Sequence, residues 1–393
     1  MSEAPLSHIS SPAERERRYS ALRSMMTSNS LDALVISSRG DEFMRGRVQY
    51  LSDVFQWAGW SFVVLPIEGE AAFISDPLWG LARVPLVDWI RDIRTTHDPG
   101  AEIADILAIH GLSKGAVGIV GWSDITAAAH VDGIKAACPD VRLSDATDLF
   151  DDIRAIKSAE EIANLEETST IIREVFDALE AEIRPGVTER QVLGQAHRLC
   201  RELGCLDGIA QMSRTPFRAY TFGTEGVIEP DDVIAIDLEW GGPSGYWAEV
   251  RRVYSFRDPT KQEQLFWQSR VESFEACVAA MTPGAESTDI LVARDAVYRE
   301  YGQTAEGLLA YTAHGIGIDS LEPPWVPGKD RTLKENMVIN LHPAIRFDDP
   351  DEAKALGGIM ISDNVLVSNE GPRRLTDQED RWIVLDLRGT SGS

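Results

Sequence analysis

Apolar and polar positions divide the chain into two differently organised stretches. Residues 13–28 read as a helix, and Leu31-Asp32-Ala33-Leu34-Val35-Ile36-Ser37 then switches to a buried strand. Further strands are expected at Ser61–Leu65 and Ala71–Ile74, joined by the short polar step Ile67-Glu68-Gly69-Glu70 of the hairpin kind. A helix near Ala101–His110 precedes a strand at Ala116–Val120. Near Asp151 the period changes. Ser158-Ala159-Glu160-Glu161 has the form of a capping box, because the serine can cap a helix start while Glu161 reaches back to it. That helix runs past Glu180 and stops at Pro185-Gly186. Thr188-Glu189-Arg190-Gln191 opens a second helix in the same way. Strands dominate from Val233, helices follow at about Lys261–Met281 and Ser287–Tyr301, and the C-terminal third is again strand-rich. Helix pairs alternating with antiparallel strands predict an α+β class, with an α/β domain over 1–152 and a larger domain over 153–393.

Composition narrows the function classes. Lys plus Arg number 38 against 63 Asp plus Glu, a formal net charge of −25. That field repels a phosphate backbone, so no nucleic-acid partner is expected. No apolar run reaches the roughly 18 residues that span a bilayer, and the polar start lacks a signal peptide's apolar centre. No membrane partner is expected, and the cytoplasm is the expected compartment. Cys138, Cys200, Cys205 and Cys277 lack close metal-ligand spacing and read as free thiols in a reducing setting.

Four segments carry chemistry. Asp232–Glu239 is followed by Gly245-Tyr246-Trp247-Ala248-Glu249-Val250-Arg251-Arg252, two strands that would bring Asp237 and Glu249 face to face. His314-Gly315-Ile316-Gly317 runs on to Glu322-Pro323-Pro324. Glu335–Pro343 contains His342, and Gly358–Val367 contains Ser362. The Gly-x-Gly after His314 is no dinucleotide loop, since no preceding strand, third glycine or helix start accompanies it.

In order and spacing these segments resemble the aminopeptidase P/prolidase/creatinase superfamily. Arg154-Ala155-Ile156-Lys157-Ser158 looks like the signature that opens its catalytic domain in the creatinase and aminopeptidase P branches. The resemblance implies a creatinase-type N-terminal domain, a pita-bread catalytic domain, and two metal ions on the ligands Asp, Asp, His, Glu, Glu. Here Asp237 and His314 keep their places. Glu249 stands at the second position, His342 at the fourth and Ser362 at the fifth, where the bridging glutamate belongs. Four carboxylates balance two divalent ions; two carboxylates with two neutral imidazoles match one ion at most. The expected metal set is therefore Asp237, Glu249, His314 and His342 around a single ion, or a metal-free site like that of creatinase. Losing the bridge removes what holds two ions about 3.5–4 Å apart.

Substrate positions change as well. Where the family often has a histidine seventeen residues before the first aspartate, this chain has Tyr220, and seven residues after His314 it has Leu321. Tyr220 can donate a hydrogen bond to substrate or leaving group but is a poor base. The Asp237–Glu249 spacing also resembles the dimethylsulfoniopropionate lyase branch, whose second acid falls at Glu239. Residues i and i+2 of a strand share a face, so Glu239 should point with Asp237. In the creatinase branch a partner subunit lends residues from its N-terminal domain, which implies a homodimer. Candidates here are Trp57 and Trp60 as an aromatic wall and Arg45 or Arg47 as a carboxylate clamp, with Arg214, Arg218 and Trp325 beside them. The expected function is a hydrolase of a non-peptide C–N bond in a small molecule, with Glu249, His314 and His342 as the acid–base cluster and Asp237 orienting it. The alternatives are a lyase, a residual Xaa-Pro metallopeptidase and a non-catalytic binder.

Overall fold

The computed structural model describes residues 9–76, 81–82, 88–305, 312–322, 331–376, 378 and 380–386. Its internal contacts divide the chain into two units, Met1–Arg154 and Ala155–Ser393.

The first unit is built on a six-stranded sheet. Ala33–Arg39 lies centrally, antiparallel to Trp60–Pro66 on one side and parallel to Ala116–Val120 on the other. Ala72–Ser75 and Asp92–Thr95 extend one edge, and Arg142–Asp145 forms the other. Side chains alternate across a strand. Leu34 and Ile36 therefore enter one core with Leu22, Met26 and Phe150, while Ala33 and Val35 enter a second with Ile103, Leu107 and Ile134. Burial on both faces explains why this strand reads as a continuous apolar run. The helices Pro12–Ser28, Pro99–Ile109 and Thr147–Arg154 supply the covering side chains.

The second unit repeats one plan twice: a helix pair, then an antiparallel sheet. Ala159–Leu179 and Glu189–Glu202 precede a sheet of Asp207–Arg214, Val233–Gly241 and Trp247–Ser255, which Ile383–Val384 joins at its edge. Lys261–Ala280 and Ser287–Glu300 precede a sheet of Ala313–Gly315, Val338–Leu341, Asp363–Leu366 and Arg373–Arg374. Capping boxes at Ser158/Glu161, Thr188/Gln191 and Thr260/Glu263 satisfy the exposed amides of three of these helix starts. A backbone bridge between Arg251 and Ser362 joins the two sheets edge to edge. This seam sets the site, because both sheets aim their polar faces into the angle between them. Helix pairs alternating with antiparallel sheets make the second unit α+β, as the sequence predicts.

Candidate active site

Period-two alternation builds the floor of the site. In Val233–Gly241, Ile234, Ile236, Leu238 and Trp240 face the helices, which sends Asp237 and Glu239 to the opposite face. In Trp247–Ser255, Ala248, Val250 and Tyr254 face the same helices, which sends Glu249 and Arg251 to the other side. The register differs from the sequence expectation. Asp237 lies directly opposite Arg251, and Glu249 opposite Glu239. The Gly242–Tyr246 turn, with Gly245 at φ +92°, sets this pairing, so Asp237 and Glu249 meet diagonally rather than face to face.

Arg251 fills that diagonal. Its Nε donates to Asp237 Oδ2 at 2.9 Å, and its Nη2 stands 3.0 Å from Glu249 Oε1. The second contact is a charge pair without hydrogen-bond alignment, since Glu249 Oε1, like Asp237 Oδ1, is buried and has no hydrogen-bond donor. The guanidinium also lies 5.6 Å over the ring of Tyr220.

The second sheet brings the histidines. His314, on Ala313–Gly315, places Nε2 3.1 Å from Glu249 Oε2, while its Nδ1 lies 3.0 Å from the Gly315 carbonyl. Nε2–H donates to Glu249 in the absence of an ion, whereas a proton kept on Nδ1 by that carbonyl would free the Nε2 lone pair for one. His342 follows Val338–Leu341, its backbone N–H donates to Thr312 O at 2.7 Å, and its ring centroid is 5.2 Å from that of His314. Ligand atoms of Glu249, His314 and His342 all lie within 4.8 Å of one another, and all three residues are buried. Asp237 stands outside this trio, held by Arg251.

The electrostatics follow from burial and from the guanidinium. Burial pushes Asp237 up to about 6; Arg251 pulls the other way, and the nearby Glu249 charge adds to the rise. Burial also opposes the charge on Glu249, but Arg251, His342 and His314 outweigh it and hold that carboxyl well below the usual range. His342 is pushed down to about 3 by burial, with Arg251 and His314 adding to it against the pull of Glu249. A neutral imidazole beside an ionised carboxylate is a ready donor pair for a cation. The orphaned Asp237 and Glu249 oxygens, buried with no donor, fit the same reading.

Other expected residues do different work. Ser362 donates to Asn340 Oδ1 at 3.1 Å, and Asn340 Nδ2 donates to the Glu249 carbonyl at 2.8 Å and to Asn364 Oδ1 at 3.0 Å. As expected from Ser362, no carboxylate stands at the fifth position, and an amide–hydroxyl network there steadies the Glu249 backbone. Tyr220 was expected to meet substrate, but its hydroxyl donates to the Gly358 carbonyl at 3.1 Å, and burial raises its pKa above the ordinary value. Its ring supports Arg251. Glu239 shares the Asp237 face as expected and accepts a hydrogen bond from Ser320 Oγ. Leu321 is 43% exposed. Trp325 lies outside the described residues.

In the first unit Arg47 is no free clamp: Asp151 at 2.8 Å and Asp124 at 2.9 Å hold its guanidinium. Arg45 is buried, with Nε on the Asp41 carbonyl at 2.9 Å and the guanidinium over Phe55. Trp60 packs on Phe62 and His130, which leaves only Trp57 of the aromatic pair largely exposed, at 53%. Arg214 is paired with Glu189 and Asp232, and Arg218 is exposed. The sequence reading missed Arg251 and Asn340. A signal for Arg251 was present, since it stands two residues beyond Glu249 on one strand and must share its face.

The family model described as metallopeptidase family M24 matches residues 163–369, and that of the creatinase/prolidase N-terminal domain matches 18–156. The chain belongs to metallopeptidase family M24. This M24 protein is 28% identical to the Xaa-Pro dipeptidase of Pyrococcus furiosus over 238 residues, 59% of this chain and 66% of that one. It is 24% identical to the Xaa-Pro dipeptidase of Lactobacillus helveticus over 346 residues, 83% of this chain and 89% of that one. Among solved structures, an X-Pro aminopeptidase from Thermotoga maritima superposes with a TM-score of 0.78 at 19% identity, covering 93% of this chain and 99% of that one. An Xaa-Pro dipeptidase from Bacillus anthracis gives 0.76 at 20% identity, covering 94% and 100%. At these identities the structural likeness shows the shared fold. Among the described residues no helix is long and apolar enough to cross a membrane.

Proposed function

We propose that this M24 protein is a hydrolase that cleaves the amide bond of a small Xaa-Pro substrate with one divalent ion. The convergence of Glu249, His314 and His342 within 4.8 Å carries the reading. Two histidines and one glutamate form a donor set that single-zinc peptidases use, so loss of a two-ion centre does not by itself remove peptide hydrolysis. An ion held there supplies Lewis acidity to a polarised carbonyl oxygen. The protein's own groups supply the rest. Asp237, near 6, can hold or release a proton close to neutrality, and Arg251 keeps Glu249 ionised. Asn340 and Ser362 fix the strand that presents Glu249.

The named relatives support a peptide substrate over the non-peptide C–N bond that the sequence suggested. One observation favours that second reading: Leu321 and Tyr220 stand where the family often has substrate-facing histidines, and the Tyr220 hydroxyl is committed to Gly358. A homodimer that shares residues such as the exposed Trp57 is part of the proposal. The test is a screen of Xaa-Pro dipeptides beside creatine-like amidines, cyclic amides and sulfonium betaines, with protein stripped of metal and reloaded. Proline release that needs metal and is lost in His314→Ala supports the proposal. Turnover of amidines alone, or proline release unchanged in His314→Ala, contradicts it.

A further inference from the structure

The family resemblance implies two cations on a shared ligand set, and here a guanidinium lies between two residues of that set, Asp237 and Glu249. Arg251 projects from the strand that carries Glu249 and spans Asp237 and Glu249 at 2.9 and 3.0 Å, with only 15% of its side chain exposed. A guanidinium stays charged at every accessible pH and offers a fork of donors suited to two carboxylates. It therefore does for this pair what a bridging ion does: it cancels their repulsion and fixes their spacing. The charges agree. Two carboxylates (−2) and the guanidinium (+1) leave −1. One divalent ion on Glu249, His314 and His342 brings the centre to +1, whereas two would bring it to +3 in a buried site. Ser362 completes the exchange, since its backbone bridges to Arg251 while its short hydroxyl turns away to Asn340.

We propose that Arg251 is the resident second cation of this centre: it takes the role of one metal ion and withdraws Asp237 from metal binding. The inference rests on the one-ion reading of the trio but is separable from it by experiment. Metal-stripped protein is titrated with manganese or zinc alone, and the bound equivalents are counted by mass spectrometry of the element. Each form is expected to take one equivalent, since two carboxylates and two imidazoles match one ion. Arg251→Gln is expected to bind it about tenfold tighter or more because Asp237 is released to ligate, and the double variant Asp237→Asn/Arg251→Gln to lose that gain. One equivalent in both wild type and R251Q, bound no more tightly in R251Q, overturns the Arg251 role and leaves the one-ion reading standing. None in the wild type with one in R251Q supports the built-in cation and overturns the one-ion reading. Two in the wild type overturns both. Should R251Q fold only with manganese present, the ion is standing in for the lost charge, which supports the proposal. Asp237→Asn alone gives a second measure that keeps the side-chain shape. Its ion affinity is expected to match the wild type, and a fall of about tenfold or more, the size seen when a metal site's supporting shell or ligands are disturbed, would make Asp237 a ligand and overturn the proposal.

Discussion

Asn340 shows how a side chain outside the Glu249, His314 and His342 trio can set the position of one within it. Its amide holds the Glu249 carbonyl and is itself held by Ser362 and Asn364. Groups that orient a ligand typically carry about 10–100-fold in metal affinity. Asn340→Ala is therefore expected to weaken manganese binding by roughly tenfold or more, while circular dichroism stays native. Unchanged affinity would show that Glu249 is positioned without this network. At this scale the sequence was legible in part. His314, His342 and Glu249 could be placed together because family spacing fixes them. Arg251 was passed over although its place two residues beyond Glu249 puts it on the same face, and the strand register adds that this arginine faces Asp237 while the next meets Asp177.

The segment after His314 shows the same principle in an element. Glu322 Oε1 accepts the amides of Ile318 and Asp319, and Oε2 receives Lys157 Nζ at 2.5 Å. Lys157 and Glu322 are both almost wholly buried. A Cβ on Gly317 would lie 2.6 Å from that carboxylate, so the turn closes only with glycine there. Removing one partner of a buried pair strands the other charge, typically at about 3–5 kcal/mol. Glu322→Ala is expected to lower stability by that order in urea unfolding and to speed hydrogen exchange at 316–320; a loss under 1 kcal/mol would make the pair unimportant. Helix starts were the most legible elements, because a capping box is local chemistry. The Asp237–Glu249 register was not, because the turn geometry that offsets it by two residues depends on Gly245 at positive φ and on the amide of Gly242 meeting Tyr246.

Over the whole molecule, two units carry separate charge networks beneath a net charge of −25. In the first, Asp151 lies buried between Arg47 and Arg154. Burial opposes its charge, yet the two arginines hold its pKa below the ordinary value of 3.8. A depressed carboxyl contributes stability above its unfolded pKa and loses it as pH falls through the folded one, because the unfolded chain then binds more protons. Unfolding of the first unit is thus expected to become easier as pH drops below about 4, and Asp151→Asn should remove most of that acid sensitivity while lowering stability at neutral pH by about 3 kcal/mol. An equally steep acid slope in the variant would assign the effect elsewhere. The two-unit plan was legible because capping boxes and a change of period mark the boundary, whereas the pairing of Arg47 with Asp151 joins residues distant in sequence and left no local trace. The central claim, one ion on Glu249, His314 and His342 with Arg251 as its companion charge, is tested most directly by anomalous diffraction from a zinc-soaked crystal. The account predicts a single peak bonded to those three side chains, with the guanidinium still between Asp237 and Glu249. A pair of peaks flanking Asp237, or zinc bound elsewhere with the trio bare, would contradict it.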